Sequence, residues 1–143
     1  MTESTQFDIG IIGGGPAGYV AAIRAAQLGA SVAVVEAAQL GGTCLNWGCI
    51  PSKALIATAH RLDQIRDAGQ FGILVEKPQL DLAKAMNRKD RILDQLRKGI
   101  AFLLEKGGVK LFAGRGKLLG PSQIGITGED GECEISCRHI VLS

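Results

Sequence analysis

Phe7-Asp8-Ile9-Gly10-Ile11-Ile12-Gly13-Gly14-Gly15-Pro16-Ala17-Gly18 is the stretch from which the rest of the chain is read. A short apolar run, Phe7–Ile12, ends in a glycine cluster. Beyond it Tyr19–Leu28 is alanine-rich and helical in pattern, and Ser31–Val35 is a second apolar run closed by Glu36. Strand, glycine turn, helix, strand, acid is the layout of a βαβ unit that holds a dinucleotide. In that layout Gly13 allows a tight turn, Gly15 lets the backbone approach a pyrophosphate, and Gly18 lets helix and strand pack closely. Pro16 and Ala17 open a helix whose N-terminus turns its free N–H groups and positive dipole end to the phosphates. Glu36 is placed to accept hydrogen bonds from ribose hydroxyls. A glycine turn alone is weak, since an α/β protein can carry one and bind nothing. The flanking strands and the acid in register strengthen it.

A second glycine-rich motif follows, Gly41-Gly42-Thr43-Cys44-Leu45-Asn46-Trp47-Gly48-Cys49-Ile50-Pro51-Ser52-Lys53. In a regular helix, residues five apart have Cα atoms roughly 8.6 Å apart, whereas a disulfide spans no more than about 7 Å. Cys44 and Cys49 can therefore pair only if the chain between them is not regular helix. Gly48 permits a tight backbone there, and Pro51 suits the first turn of a helix. The pattern predicts Cys49 at or next to an N-cap and a helix over about 51–66. The helix N-terminus and Lys53 would then favour a thiolate at Cys49.

Composition sets the outer bounds. A chain of 143 residues, 46% apolar and 21% charged, is long enough for one domain with a core and too apolar for disorder. A formal net charge of +2 argues against a nucleic-acid surface. The glycines cluster in turns rather than in a low-complexity linker. No apolar run reaches the roughly 18 residues of a membrane-spanning helix. Met1–Gln6 lacks the basic start and apolar core of a signal peptide. The expectation is a cytosolic protein, a compartment in which a disulfide is more often catalytic than structural.

Along the remainder, Pro51–Arg66 carries apolar residues at helical spacing: Leu55, Ile56, Ala59, Leu62 and Ile65. His60 on it has no second ligand or base in sight and reads as an ordinary helical residue. Asp67–Leu80, with Gly69, Gly72 and Pro78, reads as irregular. Asp81–Lys106 reads as a long helix with Leu82, Met86, Leu93, Leu96, Ile100 and Leu103 as its apolar face, ended by Gly107-Gly108. Val109–Ala113 reads as the third strand of a parallel sheet. Gly114-Arg115-Gly116 then turns into Lys117–Leu119. Gln123–Thr127 and Glu132–Cys137 alternate as a hairpin about a turn at 128–131, and Arg138–Ser143 resumes an apolar strand. Cys133 and Cys137, four apart on a strand, lie about 13 Å from each other. They read as unpaired strand cysteines, with no partners for a zinc set. No metal site is expected.

Gly-Gly-Thr-Cys-Leu-Asn-x-Gly-Cys-Ile-Pro-Ser-Lys-Ala-Leu resembles the redox-disulfide segment of the FAD-dependent pyridine nucleotide–disulfide oxidoreductases. Its continuation, Ile50–Leu55, favours the dihydrolipoyl dehydrogenase branch. Trp47 departs from the pattern, standing where many members have valine. The resemblance implies an α/β, Rossmann-like FAD-binding domain, with a helix-flanked parallel sheet and a small antiparallel β-meander. It implies a Cys44–Cys49 redox disulfide, with Cys44 the exposed interchange thiol facing the substrate and Cys49 the charge-transfer thiol facing the flavin. Lys53 would lie near the flavin's reactive edge. FAD would be held by Gly13, Gly15, Pro16, Ala17, Gly18, Glu36, Gly42, Thr43, Cys44, Cys49, Lys53 and Gly116, the last through backbone hydrogen bonds to adenine. It covers Phe7–Ser143, about the first third of a family member, so the expectation is residues 1–143 as the FAD-binding domain of a longer flavoenzyme. That parent would bind NAD in a later domain, act as a homodimer on lipoyl domains of 2-oxo acid dehydrogenase complexes, and take its base from a C-terminal interface domain. The fragment alone should be inactive. Rivals are a mercuric or glutathione-type reductase of the same family, and a non-catalytic FAD-binding module.

Overall fold

In a computed structural model, residues 5–129 and 131–143 are described; Met1–Ser4 and Asp130 lie outside them. Among the described residues six strands form one sheet in the order β3-β2-β1-β6-β5-β4. They are β1 (Gln6–Ile12), β2 (Val32–Glu36), β3 (Lys110–Ala113), β4 (Arg115–Gly120), β5 (Gln123–Gly128) and β6 (Gly131–Leu142). The α-helices between them, among the described residues, are α1 (Pro16–Gln27), α2 (Gly42–Asn46), α3 (Cys49–Arg66) and α4 (Leu82–Lys106). β3, β2, β1 and the far half of β6 run parallel, whereas β4, β5 and the near half of β6 make an antiparallel meander.

The sheet divides because β6 serves both parts. Ser136 pairs with Gln123 of β5 and with Gln6 of β1, so the strand leaves one ladder as it enters the other. The two apolar segments at 132–137 and 138–143 are thus one uninterrupted strand.

Alternation along β2 shows how the layers stack. Val32 and Val34 pack with Ile11 of β1, Ala22 of α1 and Leu93, Ile100 and Leu104 of α4. Ala33 and Val35 face the other way, onto Ile124, Ile126, Ile135 and Cys137 of the meander. Helices therefore cover one face of the parallel strands and the meander the other, which is why β2 is apolar at four consecutive positions. Two glycines permit the close approach of the meander. A Cβ at Gly10 would strike the Cys137 sulfur and Ile124 Cδ1, and one at Gly116 would come 3.0 Å from Ile12 Cγ2.

Several boundaries differ from the sequence reading. α1 begins at Pro16, since proline at N1 loses no hydrogen bond there. α3 begins at Cys49 rather than near Pro51. Within 67–80 a 3-10 turn spans Asp67–Phe71 and stops at Gly72, whose φ of 75° is left-handed. On α4 the buried residues are Leu93, Ile100 and Leu104; Leu82, Met86, Leu96 and Leu103 are exposed. On α3 only Ala54 is buried, while Ile56 and Ile65 are exposed. No helix among the described residues is long and apolar enough to cross a membrane.

Candidate functional site

Two glycine loops meet at the carboxyl ends of β1 and β2. The first turns out of β1: Gly13 has a φ of 109°, and its N–H donates to Val35 O at 2.8 Å. Gly18 packs so close to the Gly13 carbonyl that no side chain fits, which is the helix–strand approach expected of it. α1 starts from Gly15 with no side-chain cap, so the N–H groups of its first turn are not taken up by a capping side chain.

Glu36 stands beside this turn. Its Oε2 accepts from Gly14 N at 2.7 Å and its Oε1 from Ala38 N at 2.8 Å. Gly14 is buried. The carboxylate thus braces the turn itself, a contact that sequence reading did not anticipate.

The second loop carries the cysteines. Gly41, with a φ of 98°, donates its N–H to Gly14 O at 2.8 Å. A Cβ on Gly42 would come 2.8 Å from Gly15 Cα, so the two turns lie back to back with no side chain between them. α2 then holds Thr43 and Cys44, and the helical path breaks at Trp47 and Gly48, whose backbone angles are non-helical. That break lets Cys44 and Cys49 approach to a Cα–Cα distance of 4.7 Å, and a disulfide joins them. Gly48 caps α3, placing Cys49 in its first turn, and Ser52 Oγ donates to Gly48 O at 2.7 Å. Lys53, one turn on, is exposed. Of the two half-cystines Cys49 is the exposed one and Cys44 is half-buried, whereas the family resemblance implied Cys44 as the exposed thiol. Cys44 adjoins the buried Leu45 and Asn46 of α2, whereas Cys49 is the first residue of α3.

A residue absent from the sequence-derived site holds this loop. Asn46 is buried, and its Nδ2 donates to Gly42 O at 3.0 Å, Leu40 O at 3.1 Å and Gln39 O at 3.4 Å. Its Oδ1 accepts from Arg97 Nη1 of α4 at 3.1 Å, and Arg97 also donates to Gln39 Oε1 at 2.6 Å. A buried amide must have such partners. Sequence alone did not mark Arg97, because the row 93, 97, 100, 104 of α4 is shown to face inward only by the burial of Leu93, Ile100 and Leu104.

Gly116 lies over Ile12 and Val35, at the same sheet end as the two glycine turns. His60 is not drawn into this site: it lies with Asp63, Gln64, Asp67 and Phe71 around a hollow at the far end of α3. Cys133 is exposed and Cys137 buried, and both are free thiols; burial pushes the Cys137 thiol up. A hollow of about 480 Å³ lined by Phe7, Asp8, Ser31 and Arg138 opens at the amino ends of the strands, away from this chemistry. Among the described residues no cluster of His, Cys, Asp and Glu could hold a metal ion.

The donor set suits a dinucleotide. Gly15 has nothing but Gly42 Cα, at 3.9 Å, near the position of an added Cβ. An open glycine beside an uncapped helix start is what a pyrophosphate requires. An acid closes the second strand, and a disulfide lies on the adjoining loop.

Residues 7–143 match the pyridine nucleotide-disulphide oxidoreductase family. The chain is 49% identical over 119 residues to a dihydrolipoyl dehydrogenase of Bacillus subtilis, covering 83% of this chain and 25% of that protein. It is 43% identical to one from Pseudomonas aeruginosa, over 100% of this chain and 32% of that protein. With a third, from Cupriavidus necator, it shares 46% identity over 98% of this chain and 32% of the relative. The chain thus spans between a quarter and a third of the relatives it matches.

Proposed function

The chain belongs to the pyridine nucleotide-disulphide oxidoreductases, and on that premise we propose that it is the FAD-binding domain of a dihydrolipoyl dehydrogenase. The parent would oxidise protein-bound dihydrolipoyl groups and pass the electrons to NAD⁺. The observation that supports this most is the Cys44–Cys49 disulfide on a loop tied to the dinucleotide turn by Gly41 N–H to Gly14 O. A structural crosslink has no need of that position.

Gly13, Gly15, Pro16, Ala17 and Gly18 would hold the pyrophosphate, Glu36 the ribose, and Gly116 the adenine, with Gly42, Thr43, Cys44, Cys49 and Lys53 toward the flavin. FAD, when bound, supplies a two-electron acceptor for the reduced cysteine pair. The chain's own chemistry is thiol–disulfide exchange. One thiolate of the substrate dithiol attacks Cys44 Sγ, forming a mixed disulfide and releasing Cys49 as a thiolate. The second substrate thiol, deprotonated by a base, attacks the substrate sulfur of the mixed disulfide; the substrate leaves as its disulfide and Cys44 as a thiolate. The substrate loses two electrons and the cysteine pair gains them. Cys49 suits the leaving role, because the start of α3 lowers the cost of its negative charge. Lys53, one turn further along α3, would add to that effect.

The base, the NAD site and the dimer contacts would reside in the remainder of the parent, a cytoplasmic homodimer acting on lipoyl domains of 2-oxo acid dehydrogenase complexes. The test is steady-state oxidation of dihydrolipoamide by NAD⁺ in the full-length protein, with flavin content measured alongside. Activity should vanish in Cys44→Ser and Cys49→Ser while FAD is retained. Turnover without either cysteine, or a parent that binds no FAD, would overturn the reading.

A further inference from the structure

We infer that Arg97 is a positioning residue for the Cys44–Cys49 couple, acting through Asn46 to hold the cysteine loop in the arrangement in which the two sulfurs join. The inference rests on the redox reading above, though its test reads the disulfide and not turnover.

Three observations carry it. α2 has five residues, far short of the length at which a helix sustains itself, so the place of Cys44 depends on outside contacts. Those contacts converge on Asn46, whose amide gathers the carbonyls of Gln39, Leu40 and Gly42 and leaves Oδ1 to a single donor, Arg97. Arg97 in turn is fixed: it pairs with Asp94 on its own helix and lies between Leu93 and Ile100, which anchor α4 in the core. The guanidinium thus ties the loop to the longest helix of the domain. An arginine is suited to this because one planar fork reaches Asp94, Gln39 and Asn46 together.

The consequence falls on the thiol–disulfide equilibrium. With Cys44 held, reduction leaves the two thiols close, and re-formation of the disulfide has a high effective concentration. Without Arg97, Asn46 Oδ1 is buried and unsatisfied, the loop relaxes, and the disulfide is easier to reduce.

The experiment equilibrates the chain in dithiothreitol redox buffers, traps the thiols by alkylation and reads the oxidised fraction by mass. Arg97→Met should lower the equilibrium constant for oxidation about tenfold, equal to about 30 mV for a two-electron couple. Gln39→Ala, which spares the Arg97–Asn46 bond, should shift it less and in the same direction. Arg97→Lys separates geometry from charge: lysine keeps the charge without the fork and should recover only part of the loss, whereas full recovery would make the effect electrostatic and overturn the positioning role. An unchanged constant in Arg97→Met would also overturn it. If Arg97→Met fails to fold by circular dichroism, unchanged constants in both Arg97→Lys and Gln39→Ala do so. Failure of Cys44 and Cys49 to couple reversibly in the unaltered chain would instead refute the redox reading.

Discussion

Glu36→Ala should cost the chain stability even with no ligand present. Were the carboxylate there for a ribose alone, the bare protein would not miss it. In the structure it accepts from two backbone N–H groups, Gly14 at 2.7 Å and Ala38 at 2.8 Å. A hydrogen bond to a charged group contributes about 1.5–3 kcal/mol. Ala38 is exposed, so water replaces its lost partner and that bond is worth a fraction of the range. Gly14 is buried, and its orphaned N–H incurs the desolvation penalty of about 1–3 kcal/mol. Together the substitution should destabilise by about 2–4 kcal/mol. Urea unfolding of the ligand-free chain, followed by circular dichroism, reads this directly, and Glu36→Gln should fall between because it keeps one acceptor. The same variants should bind FAD more weakly, with the disulfide still formed. A loss below about 0.5 kcal/mol in Glu36→Ala would refute the bracing role, and unchanged FAD affinity would remove Glu36 from the ribose site.

Gly10→Ala should destabilise by about 1–3 kcal/mol through overpacking against the Cys137 sulfur and Ile124. Cys137→Ala should relieve part of that cost in the double variant, and strictly additive losses in the unfolding cycle would contradict the contact. Asp8 gives a pH effect whose sign is fixed. The Ser31 hydroxyl, then the Ser31 backbone N–H and the Arg138 charge, hold its carboxyl below the usual carboxylate value of 3.8. A depressed folded pKa contributes stability that is present above that value and lost as pH falls through the folded one. Asp8→Asn should therefore flatten the acid limb of a stability-versus-pH curve below about pH 4. An identical acid limb would exclude Asp8 as a source.

The βαβ unit and the cysteine loop were legible because their chemistry is local. Gly13, Gly18 and Gly41 are required by backbone angles or close approaches that glycine alone tolerates, and Gly48 permits the break that brings the cysteines together. What stayed hidden depended on tertiary choices. Leu103 and Leu104 are adjacent, and helical periodicity alone does not say which turns inward; packing against the sheet buries Leu104. The continuity of β6 rests on Ser136 pairing with two strands distant in sequence. Asn46 gave no sign of its role, since a buried amide in a five-residue helix is defined by carbonyls that the fold brings to it.

The most direct test of a redox couple beside a flavin is differential alkylation of the reduced full-length protein with limiting iodoacetamide, with and without FAD. In the bare chain Cys49 is exposed at a helix start and Cys44 is half-buried, so Cys49 should take label first when FAD is absent. If the flavin lies against Cys49, loading FAD should protect it and move the label to Cys44. A Cys44-to-Cys49 labelling ratio unchanged by FAD would contradict the account.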